Sequence, residues 1–234
     1  MGNVLHYFAG NHTAKSFYPL YASNFQGLEH IFRLHGPSTT VKSKLIKKLG
    51  EEWKNKGFDL EWIHGSSDND TVDGVIIPRL KVGIYGNAPH LLEQFDAEGE
   101  EVNTECILDT SYIDAKKDTI TEERERTEQV VQAAHRSFKT GLSVHDGLED
   151  IYITNMDFDK ADQVAEQLIT RLFADEEDAG RTPAVKHRFL GASTPQGVVD
   201  YIPNITAGLE HRYFIKGRAG TGKSTLLKKN CRSR

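Results

Sequence analysis

A glycine-rich run near one end of the chain, residues 217–225, constrains the possible fold more than any other feature. Its sequence, GRAGTGKST, matches the pattern G-x-x-x-x-G-K-[ST]. This pattern stands between a buried strand and a helix, and the neighbouring sequence predicts both. Residues 212–215 predict a short apolar strand, and residues 224–229 predict the first turns of a helix. We therefore expect a strand, a loop and a helix in this order.

The residues of this run predict a phosphate-binding loop, or P-loop. Glycines allow backbone conformations that a Cβ forbids, so successive N–H groups can turn onto phosphate oxygens at a helix N-terminus. We expect Lys223 to act as the catalytic residue at the β- and γ-phosphates of ATP, and the Ser224 hydroxyl to ligate Mg²⁺. The predicted nucleotide-binding residues are Gly217, Gly220, Thr221, Gly222, Lys223, Ser224 and Thr225. The alternative is a glycine-rich turn before a surface helix.

Composition is that of a soluble globular protein, with 38% hydrophobic and 27% charged residues. The net charge of −5 gives no overall basic field, so we do not expect nucleic acid as a partner. Cys106 and Cys231 are too few for a disulfide framework, which favours a reducing compartment. The sequence has neither a signal peptide nor an apolar run of about eighteen residues that could span a membrane. We expect a cytoplasmic protein, and the sequence identifies no protein partner.

The chain contains a tandem repeat. Residues 6–49 align without a gap to residues 187–230 at a constant offset of 181 positions, and 15 of the 44 pairs are identical. Chance would give about two or three identities. The identical pairs include the block GLEH, Gly36/Gly217, Lys42/Lys223 and Ser43/Ser224. Each copy of the repeat therefore carries one P-loop.

The first P-loop is altered at the positions that should face a phosphate. It keeps Gly36, Lys42 and Ser43, but Thr39 and Val41 replace two glycines of the second copy. A β-branched residue such as valine resists positive φ and puts methyl groups where the backbone should approach phosphate. Gly36, Lys42 and Ser43 remain candidate nucleotide-binding residues, although we prefer a loop that only supports the fold.

After this loop, predicted helices and strands alternate. Residues 44–56 predict a helix that Gly57 ends, and residues 58–64, 75–78 and 82–85 predict strands. The alternation predicts an α/β fold with a parallel sheet of the P-loop NTPase type.

A P-loop enzyme also needs an acid that holds Mg²⁺, at the end of a second apolar strand. Here that strand ends in Gly86 and Asn87. The remaining candidates are polar side chains near strand ends, namely Asp68, Asp70, Asp73, His64 and His90. Loop aspartates more often form turns, and a single histidine is usually a satisfied polar residue, so we assign none of them a role.

The rest of the chain divides into a helical insert, a linker and a second unit. Residues 119–122 match a capping box, and Asp157 can cap a second helix, so we expect an inserted helical hairpin. The hairpin could act as a lid or as a partner-binding arm, but apolar stripes of this kind more often pack against other parts of the same chain, and we favour that interpretation. The predicted parts are a first P-loop NTPase-like domain at 1–113, the helical insert at 114–174, a linker at 175–186 and the start of a second, truncated P-loop domain at 187–234.

Several segments together resemble one known family. They are HYFAG at 6–10, SSDND at 66–70, APH at 88–90, IYITNMDF at 151–158 and YFIKG at 213–217. The chain resembles poorly characterised bacterial tandem P-loop ATPases over nearly its whole length. The resemblance implies two P-loop domains and ATP binding. Family members keep the glycines of the first loop and end the strand before Ala-Pro-His in Asp, and this chain does neither.

These observations favour an ATP-binding, P-loop NTPase-like protein whose hydrolytic activity is an open question. One alternative is a phosphotransferase in which the helical insert closes over a second substrate. The other is a non-enzymatic interaction protein in which both loops are inert.

Overall fold

The computed structural model describes residues 2–86, 98–174, 180, 182, 184–218 and 220–232. The chain forms two compact units. Unit 1 consists of Met1–Arg136 and Val185–Leu209, and unit 2 consists of Ser137–Ala184 and Glu210–Arg234. The predicted domain borders after residues 113 and 186 fall inside unit 1, so the repeat units in the sequence differ from the compact units in space.

Strands and helices alternate along the chain. The first half contains β1 (Val4–Phe8), β2 (Gly10–Thr13), β3 (Ser16–Pro19), α1 (Tyr21–Phe25), β4 (His30–His35), α2 (Thr39–Asn55), β5 (Leu60–His64), β6 (Val72–Ile77), β7 (Val82–Tyr85) and β8 (Glu98–Asn103). The second half contains α3 (Thr110–Ala115), α4 (Lys117–Thr154), α5 (Phe158–Phe173), β9 (Gly191–Thr194), β10 (Gly197–Asp200), α6 (Ile202–Ile205) and α7 (Lys223–Arg232). None of the described helices is both long enough and apolar enough to cross a bilayer.

Unit 1 is built on a six-stranded sheet with the order β1-β5-β6-β7-β4-β8. The pairs β1/β5, β4/β7 and β4/β8 are parallel, which confirms an α/β fold. The prediction of a wholly parallel sheet is wrong at β6, which is antiparallel to β5 and to β7. The reason is the length of the connections, because parallel neighbours need a crossover of a dozen residues or more. A short loop joins β5 to β6, and the 3-10 turn Pro78–Leu80 joins β6 to β7.

The core lies on both faces of this sheet. Strand β6 is buried along its whole length, and its side chains alternate between the two faces. Ile76 packs with Tyr7 and Phe25 on one face, whereas Val75 and Ile77 pack with the fully buried Ile46 of α2 on the other. Burial on both faces explains the consecutive apolar residues Val75, Ile76 and Ile77 at the end of this strand.

Two predicted helix boundaries are confirmed and another is wrong. Gly57 has φ +83° directly after α2, as expected of a residue that ends a helix. The Asp157 carboxylate accepts a hydrogen bond from Lys160 N at 2.9 Å and caps α5. The capping box at residues 119–122 is wrong, because α4 already begins at Lys117, immediately after α3. Helix α4 then continues as one helix to Thr154.

Candidate functional site

The second P-loop lies in unit 2 and has the backbone conformation that its glycines predict. Gly220 has φ +76° and Gly222 has φ +82°, both in the left-handed region that favours glycine. Helix α7 begins at the next residue, Lys223. The expected loop and helix are therefore present.

The strand expected before this loop is not formed. Residues 211–218 have no regular secondary structure, and the side chains of Tyr213 and Phe214 are 66% and 76% exposed. The prediction for residues 212–215 is therefore wrong. An apolar segment forms a strand only where another strand offers hydrogen bonds, and the ladders of the described sheets do not include this segment.

The side chain of Lys223 is held across the loop. Its Nζ donates to the carbonyl oxygens of Gly217 at 2.9 Å and of Arg218 at 2.5 Å. The Thr221 hydroxyl donates to the same Arg218 oxygen at 2.8 Å. The loop thus curls around an ammonium group at the N-terminus of α7, where the helix dipole favours anions.

A cavity of about 500 Å³ opens beside the loop within unit 2. One wall comes from the segment around the loop, and the other comes from the end of the α4–α5 connection and the start of α5. The lining residues are Met156, Asp157, Lys160, Ala161, Val164, Ile215, Lys216, Gly217, Thr221, Gly222, Lys223 and Leu226. The helical insert therefore lies next to the second P-loop.

Two side chains of the insert pack directly on the loop glycines. A Cβ built on Gly220 would lie 2.5 Å from ring atoms of Tyr152, and one built on Gly222 would lie 3.5 Å from Met156. Glycine is thus required at 220 for space as well as for backbone conformation. Nothing in the sequence alone indicates a role for Tyr152 or Met156, although both lie in the IYITNMDF segment at residues 151–158.

Positive charge prevails around the cavity. Lys160, Lys216 and Lys223 line it, and the N-termini of α5 and α7 lie at its walls. The Asp157 carboxylate opposes them but already accepts the Lys160 amide as a helix cap. This arrangement favours an anionic ligand.

Two groups of possible metal ligands lie on different helices. Ser224 is an exposed residue in the first turn of α7, next to Lys223 and half-buried Thr225. The described residues also include one cluster with three potential ligands, His145, Asp146 and Glu149, which are all exposed on α4. Exposed acidic groups of this kind are common without a metal, so this cluster does not indicate a metal site.

The first P-loop has a different backbone. Helix α2 begins at Thr39, with the Ser38 hydroxyl accepting from Val41 N at 3.3 Å. Thr39 and Val41 are the equivalents of Gly220 and Gly222, but they lie in the helix rather than in a loop. Gly36 alone has a positive φ among residues 36–43, at +140°. The additional helical turn replaces the loop segment that would surround a phosphate.

The retained polar residues of the first loop have partners inside the protein. The Ser43 hydroxyl is buried and accepts from Val72 N at 2.9 Å. Burial lowers the pKa of Lys42, and attraction to the nearby Asp73 partly opposes this effect. Asp73 in turn accepts a hydrogen bond from the Tyr21 hydroxyl at 2.7 Å. Lys42 and Ser43 thus hold α2 against the sheet.

The loop aspartates of the first unit have structural roles. The Asp68 carboxylate accepts from Asp70 N at 3.0 Å and forms a turn, as its position in a polar loop suggested. The Asp70 carbonyl accepts from Lys47 Nζ at 2.6 Å.

His64 also has a structural role, whereas His90 lies outside the described residues. Burial lowers the pKa of His64 to about 4, with contributions from His6 and Lys47. Its Nε2 lies 2.9 Å from His6 Nδ1, and its ring stacks on Tyr201 at 4.6 Å between centroids. Its burial and its contacts with His6 and Tyr201 therefore account for a histidine at position 64 without a catalytic role.

Comparison of the chain with models of known protein families, with curated proteins and with solved structures found no match. The geometry of the two loops is therefore the observation that bears on the function of the chain.

Proposed function

We propose that the second P-loop, residues 217–225, binds a nucleoside triphosphate, with ATP and Mg²⁺ as the expected ligands. The observation that carries the proposal is the pair of left-handed glycines, Gly220 and Gly222, directly before a helix that starts at Lys223. In this conformation the loop amides can face an anion at a helix N-terminus. A cytoplasmic location and membership of the tandem P-loop ATPase family belong to the same proposal.

Binding requires Lys223 to exchange its partners. Its Nζ now donates to two loop carbonyls, and a phosphate offers negatively charged oxygens to the same group. Hydrogen bonds to a charged acceptor are about twice as strong as those to a neutral one. With a nucleotide bound, Lys223 would turn from the carbonyls to the β- and γ-phosphates, and the Ser224 hydroxyl would ligate Mg²⁺.

The first P-loop provides a matched control within the same chain. Lys42 is the equivalent of Lys223, but it follows a helical turn instead of a left-handed loop. We propose that it does not contribute to nucleotide binding.

A lysine substitution tests the proposal. Mg²⁺-ATP at about 100 times its Kd should stabilise the protein by roughly 2.7 kcal/mol, since only the folded state binds it. Lys223→Ala should abolish this stabilisation, and Lys42→Ala should leave it unchanged. The measurement is thermal unfolding followed by circular dichroism, with and without Mg²⁺-ATP. An equal response of Lys223→Ala and the unaltered chain would reject the proposal, and no response in any variant would favour the interaction protein with inert loops.

The position of the helical insert favours phosphoryl transfer as a second candidate function. The start of α5 lines a cavity beside Lys223. The volume of this cavity, about 500 Å³, lies within the usual range for small-molecule sites. A second substrate could enter there, opposite the phosphates. Incubation with labelled ATP and a mixture of small hydroxyl compounds distinguishes the functions, because a transferase gives a phosphorylated product and an ATPase gives free phosphate.

A further inference from the structure

Unit 1 contains two copies of one small module. The first arm, residues 4–25, comprises β1, β2, β3 and α1, and the second arm, residues 185–206, comprises β9, β10 and α6 at the same offset of 181 positions. Both arms lie in unit 1, although they are far apart in the sequence. Their internal structure and their mutual contacts can therefore be compared directly.

The hairpins of the two arms have the same register. Thr13 pairs with Ser16 in the first arm, and Thr194 pairs with Gly197 in the second. In each hairpin the threonine hydroxyl donates to the carbonyl of its partner, at 2.9 Å and 2.6 Å. Ser16 and Gly197 both have positive φ, at 79° and 111°. The hairpins and the short helices of the two arms are thus structural copies, whereas residues 185–188 form no strand equivalent to β1.

Equivalent residues of the two arms contact each other at the centre of their interface. Phe8 N donates to Phe189 O at 3.0 Å, and Phe189 N donates to Phe8 O at 2.9 Å. The Arg188 guanidinium lies over the ring of Tyr7, its equivalent in the first arm, at 4.0 Å. A residue can meet its own equivalent only close to a two-fold axis. The arms are therefore paired about a pseudo-two-fold axis next to Phe8 and Phe189.

Contacts away from the axis are reciprocal. His6 N donates to Asn204 Oδ1 at 2.8 Å, and the equivalent His187 N donates to Ser23 Oγ at 2.7 Å. Position 204 is the equivalent of position 23, so both halves of the interface use the same pair of positions. This reciprocity is the property of an isologous interface, in which one surface binds a copy of itself.

The central hydrogen bonds of the pairing do not depend on which side chains the arms carry. The arms share Val, His, Phe, Gly and Thr at five positions, and they differ at the other positions. Main-chain atoms form the central hydrogen bonds, and Ser23 and Asn204 are different residues with the same acceptor role. These hydrogen bonds can therefore form with either arm on either side.

We propose that the arm is a self-pairing module whose partner is another copy of the same arm. Within the chain the two arms pair with each other, because covalent linkage gives them a high effective concentration. If the second arm cannot pair, the first arm becomes free and pairs with the first arm of a second chain. The product is a symmetric homodimer in which the two Phe8 residues face each other.

The test weakens the second arm in the full chain. In the double variant Phe189→Pro/Asn204→Ala, the donor to Phe8 O and the acceptor for His6 N are both removed. We expect light scattering to give twice the 26.3 kDa mass of the single chain as concentration rises. Val198→Asp, at an 83% exposed position of the same arm outside the interface, should behave like the unaltered chain. A folded double variant that remains monomeric at every concentration would overturn the proposal.

A second measurement decides the question if the double variant does not fold. Asn204→Ser places the first arm's residue in the second arm, whereas Asn204→Ala removes the acceptor. We expect a lower melting temperature for the alanine variant and recovery of most of the loss by serine. Tryptophan fluorescence is the readout, because Trp53 and Trp62 both lie in unit 1. A serine variant no more stable than the alanine variant contradicts a self-pairing arm.

Discussion

At the scale of single residues, two positions separate the two P-loops. Gly220 and Gly222 adopt left-handed φ, and their equivalents Thr39 and Val41 lie in a helix. Left-handed backbone is rare for β-branched residues, whereas a helical conformation is open to them. The replacement of two glycines is therefore enough to explain why one loop is open and the other is wound into α2.

A buried histidine gives a residue-scale prediction about pH. In the folded state His64 stays neutral down to about pH 4, but in the unfolded state it takes up a proton below its ordinary pKa of 6.5. The unfolded state thus binds more protons between these values, and the stability of unit 1 falls as pH decreases from 6.5 to 4. The largest loss from this group is about 3 kcal/mol. Urea unfolding at several pH values, followed by tryptophan fluorescence, measures it.

The control for this prediction is a pair of substitutions. His64→Gln should reduce the pH dependence of the unfolding free energy of unit 1, while His6 and His12, whose pKa values burial also lowers, keep their share. His145→Gln, which changes an exposed histidine of α4, should not affect it. If both variants retain the pH dependence of the unaltered chain, burial of His64 is not its cause.

At the scale of elements, the ends of the helices depend on a few local side chains. Ser38 allows α2 to begin early, and Asp157 allows α5 to begin directly after the turn that follows α4. Both caps accept a backbone N–H that has no partner within its helix. N-capping therefore determines where a helix starts both at the first loop and beside the cavity of unit 2.

Removal of the α5 cap should weaken unit 2. We expect Asp157→Ala to lower the free energy of unfolding of this unit by about 1 kcal/mol, since the Lys160 amide loses its acceptor. Asp157→Ser keeps an oxygen acceptor and should restore most of the stability. Circular dichroism follows the change, because the described regular structure of unit 2 is helical. Equal stability of the alanine and serine variants would show that the cap does not matter.

At the scale of the whole molecule, the two compact units separate the two P-loops. Residues 36–43 lie in unit 1, and residues 217–225 lie in unit 2 with the second half of the helical insert. The duplicated sequence is thus divided, because the second arm joins unit 1 whereas the loop that follows it joins unit 2.

This division predicts which unfolding transition responds to nucleotide. Mg²⁺-ATP should raise the melting temperature of unit 2, which circular dichroism follows together with the helices of unit 1. It should leave the tryptophan transition unchanged, because Trp53 and Trp62 report on unit 1. Lys223→Ala should remove the nucleotide effect. A shift of the tryptophan transition alone would instead place the nucleotide in unit 1.

The sequence predicted the parts of the fold that depend on local patterns. The end of α2 at Gly57, the strands from residue 58 to residue 85 and the Asp157 cap all follow from spacing and side-chain type. The predicted start of that helix at residue 44 is wrong, because α2 already begins at Thr39. The antiparallel direction of β6 was not predictable from its apolar run, because burial on both faces looks the same in either direction. The segment 212–215 has a strand-like composition, but composition does not supply a neighbouring strand.

For the candidate site, the sequence by itself determined the loop, its glycines and Lys223, because left-handed backbone and a helix start are encoded by adjacent residues. It also determined that the chain is a repeat. Only the tertiary structure decided that Tyr152 and Met156 pack on the loop, that the Ser43 hydroxyl accepts a hydrogen bond from Val72 of β6 and that the two arms meet at Phe8 and Phe189. These contacts join residues that are distant in the sequence, so they depend on packing and hydrogen bonding across the fold and not on local propensity.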